Sequence, residues 1–172
     1  LNQKAIHKPS AQHVLDDDYY KRIEAIQFTM AHDDGKKVDD IHNADVILLG
    51  VSRTSKTPTS IYLANRGYKT INIPLVLNQK LSKNLSSNTK ACIIGLIADP
   101  ERLADIRRNR VAIMNDHQIK DYTDLEFIKK EVKDSKNLFK KNNWPVIDVT
   151  RRSVEETAAS ILKIIEIKKN KK

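Results

Sequence analysis

The stretch that most constrains this chain is Ala44-Asp45-Val46-Ile47-Leu48-Leu49-Gly50, followed at once by Val51-Ser52-Arg53-Thr54-Ser55-Lys56-Thr57-Pro58. A short unbroken apolar run marks a strand buried on both faces, and such strands belong to parallel sheets covered by helices. The polar loop after it must carry the chain out of the sheet. Pro58 fits the first turn of a helix, where its missing N–H is harmless, and Gly67 fits the stop, so a helix is expected from about Pro58 to Arg66.

The alternation continues downstream. Tyr68 to Leu77, with Thr70, Ile71, Ile73 and Val76, reads as a second strand; Ala91 to Ala98 is a third, and Pro145 to Val149 a fourth. Asp99-Pro100 opens a helix to about Met114. Thr123-Asp124-Leu125-Glu126 reads as a capping box for a helix to about Lys141, with Leu125, Ile128, Val132 and Phe139 inward. Ser153-Val154-Glu155-Glu156 is another, opening a last helix with Val154, Ala158, Ile161 and Ile165 as its stripe. The polar segment from Asn78 to Asn88 is the expected surface loop.

The expected architecture is therefore α/β: a parallel sheet with helices on both faces across residues 44–172, preceded by an acidic helical segment over residues 1–43. In that segment a helix from Asp17 to Met30 would place Tyr19, Ile23, Ile26 and Met30 on one face. Ligands of such sheets bind at the C-terminal strand ends, where Gly50, Asp99 and Thr150 fall.

Hydrophobic residues make up 40% and charged residues 31% of the 172, the ordinary globular range, so disorder is a poor reading. No run approaches the ~18 apolar residues of a spanning helix. The single cysteine, Cys92, excludes an internal disulfide and suits a reducing, cytoplasmic location; its apolar surroundings read as packing. The net charge of +9 is uneven: residues 1–43 hold 6 Lys and Arg against 8 Asp and Glu, and the rest 25 against 14. A basic body favours an anionic partner.

The loop supplies a candidate. Gly50, Lys56 and Thr57 match the Walker A pattern, with Ser55 in place of its second glycine. Backbone amides at Gly50, Val51, Ser52, Arg53, Thr54, Ser55, Lys56 and Thr57 would wrap phosphates at a helix N-terminus. Lys56 would pair with the transferred phosphate, and the Thr57 hydroxyl would hold Mg²⁺. Ser55 stands where a positive φ is often needed, which serine resists. Arg53 adds a second cation.

Other residues admit two readings each. Asp99, and after it Asp148, could be the acid that orders Mg²⁺, or Asp99 could be a plain helix cap. Arg110 falls in the stripe of Leu103, Ile106 and Ile113, near Arg102, Arg107 and Arg108, either gripping a phosphate or lying on a solvated helix. Arg151 and Arg152 are further phosphate-clamp candidates. Asp16-Asp17-Asp18 and Asp33-Asp34 offer general bases, or caps in the first case. His13 and His32 read as structural, and no Cys/His spacing supports zinc.

The run from Ala44 to Asn65 resembles the signature of the pyruvate, phosphate dikinase regulatory proteins, whose relatives regulate phosphoenolpyruvate synthase. Further matching pieces are Leu15-Asp16, Arg22-Ile23-Glu24-Ala25-Ile26, His32-Asp33-Asp34-Gly35, Gly67-Tyr68-Lys69, Asn72-Ile73-Pro74-Leu75-Val76, Pro100-Glu101-Arg102-Leu103 and Val146-Ile147-Asp148-Val149-Thr150. The resemblance implies a bifunctional enzyme. It would phosphorylate a threonine of the dikinase with ADP as donor, and remove that phosphate with inorganic phosphate, forming pyrophosphate. It also implies that the loop Gly50 to Thr57 binds ADP and that Ser55 is normal there. Lys56, Arg53, Asp33, Asp34 and Arg110 are then the catalytic candidates, with Thr57 and Asp99 for Mg²⁺. The chain starts at Leu1 rather than Met, and a further region before it is expected by the same resemblance.

Three alternatives stay open: the same chemistry on phosphoenolpyruvate synthase, a small-molecule kinase using ATP, and a basic nucleic-acid-binding module. The last would interleave aromatics with its basic residues, and aromatics are only 5% here. A homodimer is one assembly open to the chain, and no membrane partner is expected.

Overall fold

The computed structural model describes residues 17–35, 41–77, 85, 90–114 and 120–170. Its strands are β1 (Val46–Gly50), β2 (Thr70–Pro74), β3 (Cys92–Ile97) and β4 (Val146–Asp148). The helices are α1 (Asp17–Ala31), α2 (Lys56–Ala64), α3 (Pro100–Met114), α4 (Lys120–Thr123), α5 (Leu125–Lys141) and α6 (Val154–Lys169). Short 3-10 turns cover Asp33–Gly35 and Ile41–Asn43. The expected loop from Asn78 to Asn88 lies, apart from residue 85, outside the described residues, as do Asp16 and His13.

The four strands among the described residues are all parallel, in the order β2-β1-β3-β4. The chain leaves β1 toward one edge and returns past it to β3, so the strand order reverses between β1 and β3. A crevice at such a reversal is where open α/β sheets bind ligands. The Gly50 loop stands at one side of it and Asp99 at the other.

Side chains alternate across β1. Val46 and Leu48 join Cys92, Ile94 and Leu96 in a core closed by Leu63, Leu103, Ile128 and Ile161. Ile47 and Leu49 join Ile71 and Ile93 beneath Ile41, Leu85 and Phe139 on the opposite face. Phe139 seats directly on Gly95, where a Cβ would lie 2.5 Å from its ring. At the β4 edge only Ile147 is buried.

Several expectations shift in detail. The α5 N-cap is Asp124, whose carboxylate accepts from Phe127 N at 2.8 Å, and not Thr123, which ends α4. Ser153 and Glu156 do form the reciprocal capping box of α6. The face of α1 is different from the one its periodicity indicated. Tyr19, Ile23 and Met30 are exposed, whereas Ala25 and Thr29 are buried. Small side chains let α1 approach β2, and Thr29 Oγ1 accepts the Thr70 backbone N–H at 3.0 Å. Lys69 Nζ meets Glu24 Oε1 at 2.6 Å at the same contact. Satisfying a backbone donor outweighs covering a few apolar atoms. Among the described residues, no helix is long and apolar enough to cross a membrane.

Candidate functional site

The loop between β1 and α2 is built around Gly50. A Cβ there would sit 2.6 Å from Thr54 Oγ1 and 2.7 Å from the Leu96 carbonyl oxygen, so only glycine lets the loop fold down against the end of β3. Thr54 Oγ1 ties the turn by donating to Val51 O at 3.0 Å. Arg53 and Ser55 both take positive φ, 73° and 56°. Ser55 thus adopts the left-handed conformation that its chemistry resists, at a cost of about 1–2 kcal/mol. As N-cap of α2 it makes no side-chain hydrogen bond to the helix, so the positive end of α2 is not neutralised by its cap.

Lys56 is only 6% exposed and its Nζ donates to Val51 O at 2.9 Å. Burial lowers its pKa to about 8. Asp34 and Asp33 pull the other way, while Arg107 and Arg53 add to the lowering. A desolvated ammonium among cations is poised to gain from an arriving anion.

The acidic turn lies across the cavity. Asp33 Oδ1 accepts from Thr57 Oγ1 at 3.1 Å and from Asn72 Nδ2 at 2.6 Å, and Asn72 Nδ2 also reaches Thr57 Oγ1 at 2.9 Å. Asn72 comes from β2 and is 1% exposed. Asp34, at φ 53°, turns out of this triangle and lines a cavity of ≈ 350 Å³ with Arg53, Lys56, Thr57, Arg110 and Tyr122. Among the described residues, three cations therefore face one carboxylate there.

On α3 the stripe is not the one expected. Ile113 is 84% exposed, and the fully buried cation is Arg107, not Arg110. Arg110 is exposed and lines the cavity. Arg107 bonds Glu131 Oε2 at 2.7 Å, Tyr122 O at 3.2 Å and Ser52 O at 3.2 Å, and stacks on the Tyr122 ring at 4.8 Å. Tyr122 Oη in turn meets Ser52 Oγ at 3.1 Å. This network clamps the loop from above. Asn72, Tyr122 and Glu131 belong to no motif that marks them for chemistry in the sequence. A polar residue inside the buried strand Thr70–Pro74 was the one available signal.

Asp99 lies elsewhere. Its carboxylate accepts from Arg102 N at 3.0 Å, capping α3, and it lines a second cavity of ≈ 820 Å³ with Glu101, Arg102, Asp148, Arg151 and Arg152. Asp148 accepts from Thr150 N at 2.9 Å and from its hydroxyl. Burial alone would raise its pKa, but these bonds leave it lowered. Arg108 pairs with Asp105 on the helix surface. Asp17 and Asp18 are exposed at the start of α1, and His32 is buried, its Nδ1 2.7 Å from Phe28 O.

Among the described residues no group of three or more His, Cys, Asp or Glu is gathered for a metal. Mg²⁺ asks for less: one or two oxygen ligands beside substrate phosphates, with water completing the octahedron. The Thr57 hydroxyl and Asp33 carboxylate fit that demand. Thr57 and Asp99 line different cavities.

A family model described as kinase/pyrophosphorylase matches residues 1–162. A protein of Pelagibacter ubique (strain HTCC1062), named as a pyruvate, phosphate dikinase regulatory protein, is 61% identical over 171 residues, covering 99% of this chain and 62% of its own length. Proteins of the same name from Erythrobacter litoralis (strain HTCC2594) and Sinorhizobium medicae (strain WSM419) are 51% and 53% identical, over 95% and 94% of this chain. They are covered over 59% and 60% of their own lengths. The chain thus spans about three-fifths of the relatives it matches.

Proposed function

This chain belongs to the kinase/pyrophosphorylase family, and from that premise we propose that it moves a phosphoryl group between a nucleoside diphosphate and a threonine of a protein target. The donor is ADP and the target is pyruvate, phosphate dikinase. In the reverse direction inorganic phosphate takes the group and pyrophosphate leaves. The observation that carries this reading is the opposition of the buried Lys56 to the exposed Asp34 across one cavity at the β1 loop. The relatives' names favour the dikinase over phosphoenolpyruvate synthase.

In the forward direction the loop amides, Lys56 and Arg53 hold the diphosphate, and Arg110 faces it from α3. The threonine hydroxyl attacks the terminal phosphorus, its proton passes to Asp34, and the bond to the bridging oxygen breaks to release AMP. Asp33 is already engaged by Thr57 and Asn72, so Asp34 is the better base. In the other direction a phosphate oxygen attacks the phosphothreonine, the threonine oxygen leaves, and Asp34 returns its proton. Both directions place phosphate oxygens at one seat, so a single preorganised cationic loop serves both. Mg²⁺, held by Thr57 and Asp33, would supply further neutralisation of phosphate charge.

The test is incubation with the dikinase and ADP labelled in its β-phosphate. Label should reach a threonine from ADP and not from γ-labelled ATP. Transfer from ATP alone, or to a small acceptor without any protein target, would overturn the reading.

A further inference from the structure

The second cavity sits at the C-terminal ends of β3 and β4, and its charge differs from that of the loop cavity. The loop cavity sets Arg53, Lys56 and Arg110 against Asp34, an excess of cations. The second sets Arg102, Arg151 and Arg152 against Asp99, Glu101 and Asp148. An even balance of guanidinium and carboxylate groups does not suit a bare phosphate. It suits a neutral group with hydroxyls, ring-nitrogen acceptors and an amino donor on a flat face.

The two cavities are neighbours. Arg102, in the first turn of α3, lines one, and Ile106, one turn later, lines the other; that is ~6 Å along the helix axis. Along the sheet, β1 and β4 are separated by β3 alone, two spacings or ~10 Å. That is the reach from the diphosphate of an extended nucleotide to its base.

We infer that the cavity over β3 and β4 receives the nucleoside half of the nucleotide whose diphosphate lies on the Gly50–Thr57 loop. Arg102 and Arg151 are exposed, and their guanidinium groups make no hydrogen bond or ion pair among the described residues, so they are available to stack on a base. Arg152 is held by Ser160 at 2.8 Å. Glu101 and Asp148 are acceptors for ribose hydroxyls. The diphosphate-donor specificity would then be divided, charge on the loop and nucleoside over β3 and β4. The inference rests on the nucleotide reading of the loop.

Calorimetric titration with two probes, ADP and inorganic pyrophosphate, separates the two cavities. Arg102→Ala and Arg151→Ala should each weaken ADP by about tenfold, the scale of losing one stacking partner of a base, and leave pyrophosphate binding unchanged. Lys56→Ala should weaken both ligands. Because Arg102 and Arg151 are exposed, both variants should fold with unchanged melting temperatures. Unchanged ADP affinity in both arginine variants overturns the inference, as does an equal loss for ADP and pyrophosphate. A loss of dikinase phosphorylation with ADP affinity intact overturns it too, and makes the cavity a dock for the protein target. If Lys56→Ala alters neither ligand, the loop reading itself fails, and the inference with it.

Discussion

The Lys56 ammonium donates to the Val51 carbonyl at 2.9 Å, so the cation best placed for a phosphate is held by the backbone of the loop it serves. That contact keeps the ammonium bonded but does not replace the water lost on burial, and its pKa falls to about 8. Between about 8 and the ordinary 10.5 the unfolded chain binds more protons than the folded one. Stability therefore rises with pH across this window and carries the full cost below it. Lys56→Met should be more stable than wild type at pH 7, by an amount on the order of 3 kcal/mol at most, and should flatten the rise. Urea unfolding at pH 7 and pH 10 checks both.

Arg107 and Glu131 form an ion pair whose side chains are 0% and 11% exposed. Arg107→Ala leaves a buried carboxylate and frees the Ser52 carbonyl. It should destabilise the fold by about 3–5 kcal/mol. The double variant Arg107→Met with Glu131→Leu should recover much of that stability while ADP binding stays weak, because the loop has lost its clamp. Chemical denaturation and calorimetry on the same samples test this.

Gly50→Ala should cost about 1–3 kcal/mol through overpacking against Thr54 and the Leu96 carbonyl, and should weaken ADP more than tenfold by displacing the loop. Gly67→Ala makes a useful contrast. A methyl added there meets no heavy atom within 4 Å, and only the φ of 85° opposes the change, so ADP affinity should be untouched.

How much of this was legible in the sequence follows from where each element gets its stability. β1 and β3 are buried on both faces, so they appear as unbroken apolar runs, and the loop after β1 is marked by Lys56 and Thr57. The facing of α1 was not legible. It is set by the Thr29 bond to a backbone amide 41 residues away, against the pull of Tyr19, Ile23 and Met30. Nor was Arg107 distinguishable from Arg108 or Arg110, since its partners, Glu131 and the Ser52 carbonyl, come from distant segments. The Asp33–Asn72 bond spans 39 residues and leaves no local pattern at all.

Asp34→Asn should cut the rate of threonine phosphorylation by about 10²–10⁴-fold and change ADP affinity little. Asp33→Asn should chiefly raise the Mg²⁺ concentration needed for ADP to bind. A normal rate in Asp34→Asn alongside a dead Asp33→Asn would exchange the two roles.

The most direct measurement is titration of ADP into wild-type protein and Lys56→Ala. One charge-assisted bond to phosphate is worth about 1.5–3 kcal/mol, so the variant should bind ADP roughly 10- to 100-fold more weakly. Equal affinity in the two proteins would mean that the diphosphate does not sit on this loop.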